Sequence, residues 1–435
     1  MAATIVTNYT DYESLVIGIG HDFDPDFLKN HLLKLLPSDK AIVGFSYLGG
    51  RLDLWHLAQK LRKEGVITIL AGPQSNVDFL GEVGWEAYPH RFAGLRESFT
   101  FALHGPAEQI IPLLKGEGPE EVSGLLFYEE DRFRVNDESG WREEFLGEVS
   151  WENLFRLTSS GLEPVRISCA QVVQQIGCPY AAKKKLVEID YPTNLNDKPF
   201  PKKGKVPLTL QGCSFCDVAR DKGFGLTLST STVLRQIARL PEDEEGRKIP
   251  FELVNENSVA SLAPLLSAIK DSQIRISQVN LVTRADWLLK AEPRLREALQ
   301  LAKFLKVRIL LAAVGLESFS DQILRNLNKG YSVETNVSAI RLMRRLKEEF
   351  PENFLYATSE GAGHGFIHPT PWDSPRTLGE ARAFILAYGL NQDILPPRST
   401  PLIIHHACAL GEWIRRLEEE EGLKLKRSGS IIEWW

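Results

Sequence analysis

Val172-Val-Gln-Gln-Ile-Gly-Cys-Pro-Tyr180 and Gln211-Gly-Cys-Ser-Phe-Cys-Asp217 decide how this chain is read. The first is an apolar run that stops at a glycine, the form of a buried strand entering a turn. The second is a C-x-x-C pair behind a glycine. Alone, such a pair fits a redox couple, half of a zinc site, or part of an iron–sulfur ligand set. A redox pair opens a helix in a thioredoxin-like unit, whereas here a polar turn follows. A four-ligand zinc site needs two more Cys or His at short spacing, and the neighbouring sequence offers none. Cys178 supplies a third thiol, at a strand end. Cys169, upstream of the same strand, is the alternative. Three thiolates leave one iron of a [4Fe–4S] cluster open to a chelating ligand. Between Cys178 and Cys213 lie 34 residues, and a loop of that length adds only modest closure entropy.

Working outward, the 435 residues suggest two or three domains, or a large barrel with an appendage. A hydrophobic content of 43% and a charged content of 25% belong to a globular chain. The net charge of −6 argues against a general nucleic-acid or anionic-membrane binder. Five cysteines are too few for a disulfide scaffold. No signal peptide and no apolar run of ~18 residues is evident, so the expectation is a cytoplasmic protein.

Residues 1–136 alternate short strands and helices, the pattern of an α/β domain with a doubly wound parallel sheet. Strands are read at Ser14–Gly20, Ala41–Leu48, Val66–Ala71 and Ser98–Leu103, and a hairpin at Val122–Asn136. Residues 137–163 are polar and read as a linker. From 164 to 410 the alternation resumes, with strands at Val172–Ile176, Pro250–Val254, Gln278–Val282, Arg308–Val314, Phe354–Ala357 and Leu402–His405. Six such units fit a partial parallel (β/α)6 barrel. Residues 181–212 are an insertion with seven lysines against Glu188, Asp190 and Asp197, read as a solvated surface loop. A C-terminal helix and tail occupy 411–435.

Gly-Cys-Pro-Tyr180 and Cys213-Ser-Phe-Cys-Asp217 resemble the two halves of the radical S-adenosylmethionine (SAM) signature, in which three residues usually separate the first two cysteines. The 34-residue interruption departs from that pattern. The resemblance implies that Cys178, Cys213 and Cys216 bind a [4Fe–4S] cluster, that Phe215 lies at the adenine, and that SAM is cleaved reductively to a 5′-deoxyadenosyl radical. Gly315-Leu-Glu-Ser318, Ser320-Asp-Gln-Ile-Leu324 and Asn328-Lys-Gly330 resemble the segment after the fourth barrel strand. On that basis Gly315 and Glu317 would face SAM or substrate, though Glu317 equally fits a helix cap. By the same resemblance Asn255 and Glu256, with Asn257, would meet the SAM amine. Arg284, in Thr283-Arg-Ala-Asp286, would pair with its carboxylate, or form a structural salt bridge. His364, His368 and Asp373 would stand at the catalytic edge.

The first domain resembles the cobalamin-binding domain that precedes many radical SAM barrels. Ser46-Tyr-Leu48 with Gly49, Ala71-Gly72, and His104-Gly-Pro-Ala-Glu108 match its ligand-facing strand ends. Ser46, Leu48, Gly49, Gly72, Gly105 and Glu108 are the implied contacts. The Asp-x-His-x-x-Gly motif of imidazole-ligated cobalamin is absent, and residues 1–168 hold no cysteine for a second cluster. Taken together, the resemblance implies a cobalamin-dependent radical SAM methyltransferase acting on a small-molecule or peptide substrate. It also implies a flavodoxin- or ferredoxin-type electron donor. Non-methylating radical chemistry (rearrangement or ring contraction), with or without cobalamin, and a zinc or redox binding module remain as alternatives.

Overall fold

A computed structural model describes residues 1–20, 23–36, 41–46, 51–72, 96–158, 160–216, 223–428 and 431–435. The chain forms a mixed α/β protein of two units. The first comprises Met1–Arg166, His405–Ala407 and Lys426–Ile432; the second comprises Ile167–Ile404, Cys408–Leu425 and Glu433–Trp435.

In the first unit, β1 (Val16–Gly18) stands apart from β2 (Ile42–Ser46), β3 (Ile67–Ala71), β4 (Phe101–Leu103), β5 (Leu125–Glu129) and β6 (Arg132–Val135). The last five form one sheet in chain order. The ladders β2–β3 and β3–β4 are parallel, and β4–β5 and β5–β6 are antiparallel. Period-two burial gives that sheet two apolar faces. Leu70, Ala102 and Leu126 meet Leu28 and Leu32 of the helix Pro25–Leu35 and Leu57, Ala58 and Leu61 of the helix Leu52–Lys63. Ile69, Leu103, Leu125 and Phe127 form the second cluster with Ile110 and Val122. Asp24 caps its helix by accepting from the Asp26 N–H at 3.1 Å.

Two expectations change here. A doubly wound sheet reverses its strand order around the first strand. Among the described strands the order does not reverse, and β1 pairs instead with β7 (Leu154–Thr158). Residues 137–163, expected to be an irregular linker, contain β7 and the start of β8 (Gly161–Pro164), an antiparallel pair. Polar, Ser- and Glu-rich composition hid a hairpin whose single well-buried residue is Leu157.

The second unit is built on β9 (Ala170–Val173). After it, β10 (Gln175–Gly177), β11 (Lys184–Asp190), β12 (Asn194–Leu195), β13 (Lys198–Pro199), β14 (Lys205–Gln211) and β15 (Phe224–Thr227) lie outside the main sheet. That sheet continues through β16 (Phe251–Val254), β17 (Gln278–Arg284), β18 (Arg308–Glu317) and β19 (Phe354–Leu355). All its ladders are parallel and neighbours follow chain order, with β20 (Gly365–Phe366) added on the late part of β18. The helices Ser258–Asp271, Glu292–Leu305 and Val333–Glu349 make the crossovers. The described strands do not close into a barrel. The sixth strand, read at Leu402–His405, does not join the parallel sheet: only Ile404–His405 is a strand, and it pairs with Ile431–Glu433 in a separate three-stranded sheet.

The insertion is not a solvated loop. β11 and β14 pair over seven residues, from Lys184↔Gln211 to Asp190↔Lys205. One face of this hairpin buries Ile189, Val206, Leu208 and Leu210, while Leu186 on the other is exposed. Asp190 is held on both sides: the Trp372 indole N–H donates to its carbonyl at 3.0 Å, and Gln322 donates to its carboxylate at 3.2 Å. Arg416, on the helix Ala409–Glu421, donates to the Pro207 carbonyl at 2.7 Å. The C-terminal tail is anchored too. Trp434 is buried, and its indole donates to the Leu402 carbonyl at 2.6 Å.

Because the hairpin's inner face is core, Leu208→Ala should cost about 2–5 kcal/mol in chemical denaturation. Leu186→Ala, at 74% exposure, should stay within about 0.5 kcal/mol. Equal small effects would return the insertion to the status of a surface loop.

Candidate functional site

In a parallel sheet, strand carboxyl ends share one edge, and ligands bind there. In the second unit that edge carries Asn255 and Glu256 after β16, Arg284 at the end of β17, and Gly315–Glu317 at the end of β18. The cysteines reach it by a different route from the one expected. The run read as a single strand breaks at Gln174. β9 stays in the parallel sheet, while β10 leaves it and pairs antiparallel with β15. Gly177 has φ +80°, and a Cβ there would lie 2.3 Å from the Gly223 carbonyl oxygen, so only glycine fits. That carbonyl accepts the Cys178 N–H at 2.7 Å.

Cys213 and Cys216 share a tight turn, the Cys216 N–H donating to the Cys213 carbonyl at 3.2 Å. Ser214 fixes that turn: its N–H donates to the Leu327 carbonyl at 3.0 Å and its hydroxyl to the Asn326 carbonyl at 2.7 Å. Asn328 donates to the Gly212 carbonyl at 2.7 Å. The segment resembling Asn-Lys-Gly therefore positions the cysteine turn through the backbone. Cys169 lies at the other end of the sheet, just before β9, where its sulfur accepts from Asn280 at 3.3 Å. Cys408 is buried in the core as the residue before the helix Ala409–Glu421.

Arg284 is the hub. Its guanidinium donates to the Cys213 sulfur at 3.5 Å, to Asp286 at 3.0 Å and to the Lys329 carbonyl, and lies 3.8 Å from the centre of the Tyr180 ring. Burial opposes its charge, but Cys213 and Asp286 outweigh it and raise its pKa. Lys329 is 3% exposed and reaches Glu317 at 3.1 Å. Burial opposes that charge as well; Glu317, then Cys213, hold it on and push its pKa up. Burial raises the Cys178 thiol, with Glu256 and Cys213 adding to the rise.

Glu317 neither caps a helix nor lies open to a ligand. With φ +60° it curls back over its own strand. Its carboxylate fills the space that a Cβ would take at Gly315 or Gly365, each 2.7 Å from a carboxylate oxygen. The opening expected at Gly315 is therefore occupied by this side chain. Tyr331 donates to the Gly315 carbonyl over the same spot.

The other candidates separate by what they already bond. Asn255 donates to Gln174 at 2.7 Å and accepts the Asn257 N–H at 2.8 Å, so its amide is used inside the fold. Glu256 remains accessible to water, yet surrounding protein pushes its carboxyl up, ahead of Glu252, while Lys329 and Arg284 pull it down. Phe215 has Lys329 5.9 Å from its ring centre. His364 accepts the Val314 N–H at 3.1 Å and pairs with the Tyr356 carbonyl at 2.8 Å. Burial lowers its pKa, so it is a neutral tie between two backbone segments rather than a proton carrier. His368 differs: it is half-buried, and its Nδ1 lies 3.0 Å from Asp373 Oδ2, which also accepts the Thr370 N–H at 2.7 Å.

In the first unit, Ser46 and Gly72 stand side by side at the ends of β2 and β3. A Cβ on Gly72 would lie 2.7 Å from the Ser46 hydroxyl. Gly105 follows β4 with φ +77°. Glu108 is buried and accepts the Arg142 N–H at 3.2 Å, which ties it to the segment 137–142 rather than to an open face. Leu48 and Gly49 lie outside the described residues.

Among the described residues, no three His, Cys, Asp or Glu side chains converge closely enough to hold one metal ion. A single zinc ion needs its ligands ~2.3 Å from one point. Among the described residues, no helix is long and apolar enough to cross a membrane. Neither a protein-family model nor a curated protein sequence matches the chain.

Lys329→Met leaves the Glu317 carboxylate buried without its cation and should cost about 3–5 kcal/mol. Lys329→Met with Glu317→Gln should recover much of that loss in urea titrations; no recovery would mean that the ion pair is not what matters.

His104 contributes to the pH dependence of the first unit. Burial lowers its pKa from the usual 6.5 to about 4, despite Glu138 at 3.3 Å. The unfolded chain then binds the proton more readily, so this contribution is complete above pH ~6.5 and lost as pH falls toward 4. The loss should reach about 3 kcal/mol. Stability of His104→Gln should fall less than wild type between pH 7 and 4.5; parallel curves would contradict the assignment.

Proposed function

We propose that the chain is a radical SAM enzyme, with Cys178, Cys213 and Cys216 holding a [4Fe–4S] cluster and cobalamin serving methyl transfer to an unactivated carbon. The partial-barrel reading of the parallel sheet belongs to the same proposal. One observation carries it. Two cysteine segments far apart in sequence lie beside each other at the carboxyl edge, with Arg284 donating to the Cys213 sulfur. Thiolate ligands concentrate negative charge, and the donor set fits a cluster because Arg284 and Lys329 supply compensating charge from the protein side. When bound, the cluster supplies one-electron cleavage of SAM.

The chain's own residues position and exclude. Glu256, exposed after β16, accepts hydrogen bonds from an amino group. Arg284 keeps its charge and its orientation through Asp286, Tyr180 and the Lys329 carbonyl. Lys329 and Glu317 close the floor against water. Asp373 orients His368, and among the described residues its Nε2 has no partner, which leaves it to move a proton at the substrate. Ser46, Gly72 and Gly105 provide the small strand ends on which a macrocycle or its nucleotide tail can lie. His364, Asn255 and Glu108 have no part in the chemistry.

Anaerobic reconstitution with iron and sulfide tests the reading. Wild type should hold about four irons per chain. Cys178→Ala, Cys213→Ala and Cys216→Ala should each lose most of them, and Cys169→Ala and Cys408→Ala should not. Cobalamin should stay with the protein through gel filtration. S-adenosylhomocysteine together with 5′-deoxyadenosine would mark methyl transfer; 5′-deoxyadenosine alone would favour rearrangement. Zinc without iron would overturn the proposal.

A further inference from the structure

We propose that the base of the β11–β14 hairpin is the docking face for an acidic one-electron carrier protein that reduces the cysteine site. The inference rests on the reading of the three cysteines as cluster ligands. It begins with charge. Residues 181–212 hold seven lysines and three carboxylates, a net of +4, so the rest of the chain carries −10. The hairpin is a basic island on an acidic protein.

The register then places the charge. Lys184 pairs with Gln211, next to Gly212-Cys213, so the lysines at this end stand where the chain returns to the cysteine turn. Lys205 is engaged by Glu188 at 3.1 Å and Lys202 by Glu421 at 2.5 Å. Among the described residues, Lys183 and Lys184 make no ion pair, and both are exposed around Leu186. An exposed apolar residue beside two uncommitted lysines suits an acidic partner with a small apolar centre.

A contact chain leads inward from this patch. Lys185 lies 5.0 Å from the centre of the Tyr180 ring, Arg284 lies 3.8 Å from the same centre, and Arg284 donates to the Cys213 sulfur at 3.5 Å. A partner seated on Lys183–Leu186 is thus three contacts from a ligand sulfur. An acidic substrate would need the mouth at Glu256 instead, where a carboxylate already stands. In the proposed step the carrier's reduced flavin or iron–sulfur centre gives up one electron and is oxidised. The cysteine-ligated centre gains that electron and is reduced. No bond or proton is exchanged at the hairpin.

The test uses the reconstituted full chain and an acidic flavodoxin as probe. Binding is followed by fluorescence anisotropy of labelled flavodoxin, and SAM cleavage is driven either by reduced flavodoxin or by dithionite. Lys183→Glu with Lys184→Glu should weaken flavodoxin binding about 10-fold or more, and binding to wild type should weaken with added salt. Flavodoxin-driven cleavage should fall by a similar factor, with dithionite-driven cleavage unchanged. Unchanged binding, or an equal loss with both reductants, would overturn the docking face. If wild type cleaves no SAM even with dithionite, the enzymatic reading fails, and the binding titration still decides whether the hairpin receives an acidic carrier.

Discussion

The antiparallel ladder between Lys184–Asp190 and Lys205–Gln211 is the constraint on which the candidate site depends. Closing a free loop of 34 residues costs roughly 3 kcal/mol in chain entropy before any constant term. The ladder and the inner face of the hairpin offset this. Ile189, Val206, Leu208 and Leu210 are each buried, and a fully buried aliphatic side chain contributes about 1.5–3 kcal/mol. Once Lys184 faces Gln211, the remaining distance from Cys178 to Cys213 is a few residues on either side of the hairpin's base. A second stitch, β10 on β15, holds Cys178 from the opposite direction. The insertion is therefore compatible with three converging thiols because it brings its own two ends together.

The electrostatics of the edge centre on Cys213. Two cations, Arg284 and Lys329, are buried within reach of Cys213. Buried charge needs partners, and each cation has one carboxylate: Asp286 for Arg284 and Glu317 for Lys329. The left-handed backbone at Glu317 is intelligible in this light. A non-glycine residue there costs of order 1–3 kcal/mol and persists when its surroundings fix it. Here the fixed carboxylate is what keeps Lys329 protonated beside the sulfur. Gly315 and Gly365 have to be glycine because the carboxylate, not a ligand, lies on them.

Strand and helix periodicity made the parallel sheet of the second unit legible, because long, well-spaced apolar runs such as Arg308–Val314 admit little else. Local motifs also located Cys178 and the Cys213–Cys216 turn. What failed was non-local. Nothing in Val172–Ile176 announces that the chain changes sheets at Gln174, since that depends on Phe224–Thr227 some fifty residues later. The hairpin of the insertion was hidden by its outer face: counting lysines from Lys183 to Lys205 gives a solvated composition, while the alternation Val206, Leu208, Leu210 is a half-buried strand. The pairing of β1 with β7 across ~140 residues has no local signal either.

Hydrogen-bond accounting decides which sequence-matched polar residues remain free for chemistry. A buried amide or imidazole with its partners satisfied inside the fold would forfeit those bonds to bind a ligand, at about 1–3 kcal/mol for each group left unpaired. Asn255 and His364 carry such internal bonds, and Glu108 accepts the Arg142 N–H through one oxygen, although each lies where a motif would place a contact. Glu256 and His368 do not face that cost: one is exposed, and the other is held by Asp373 through one nitrogen only. Sequence resemblance locates a position on the edge, but internal bonding determines whether its side chain is available. Of these polar residues, Glu256 and His368 are therefore the ones to which the proposed function gives recognition and proton transfer.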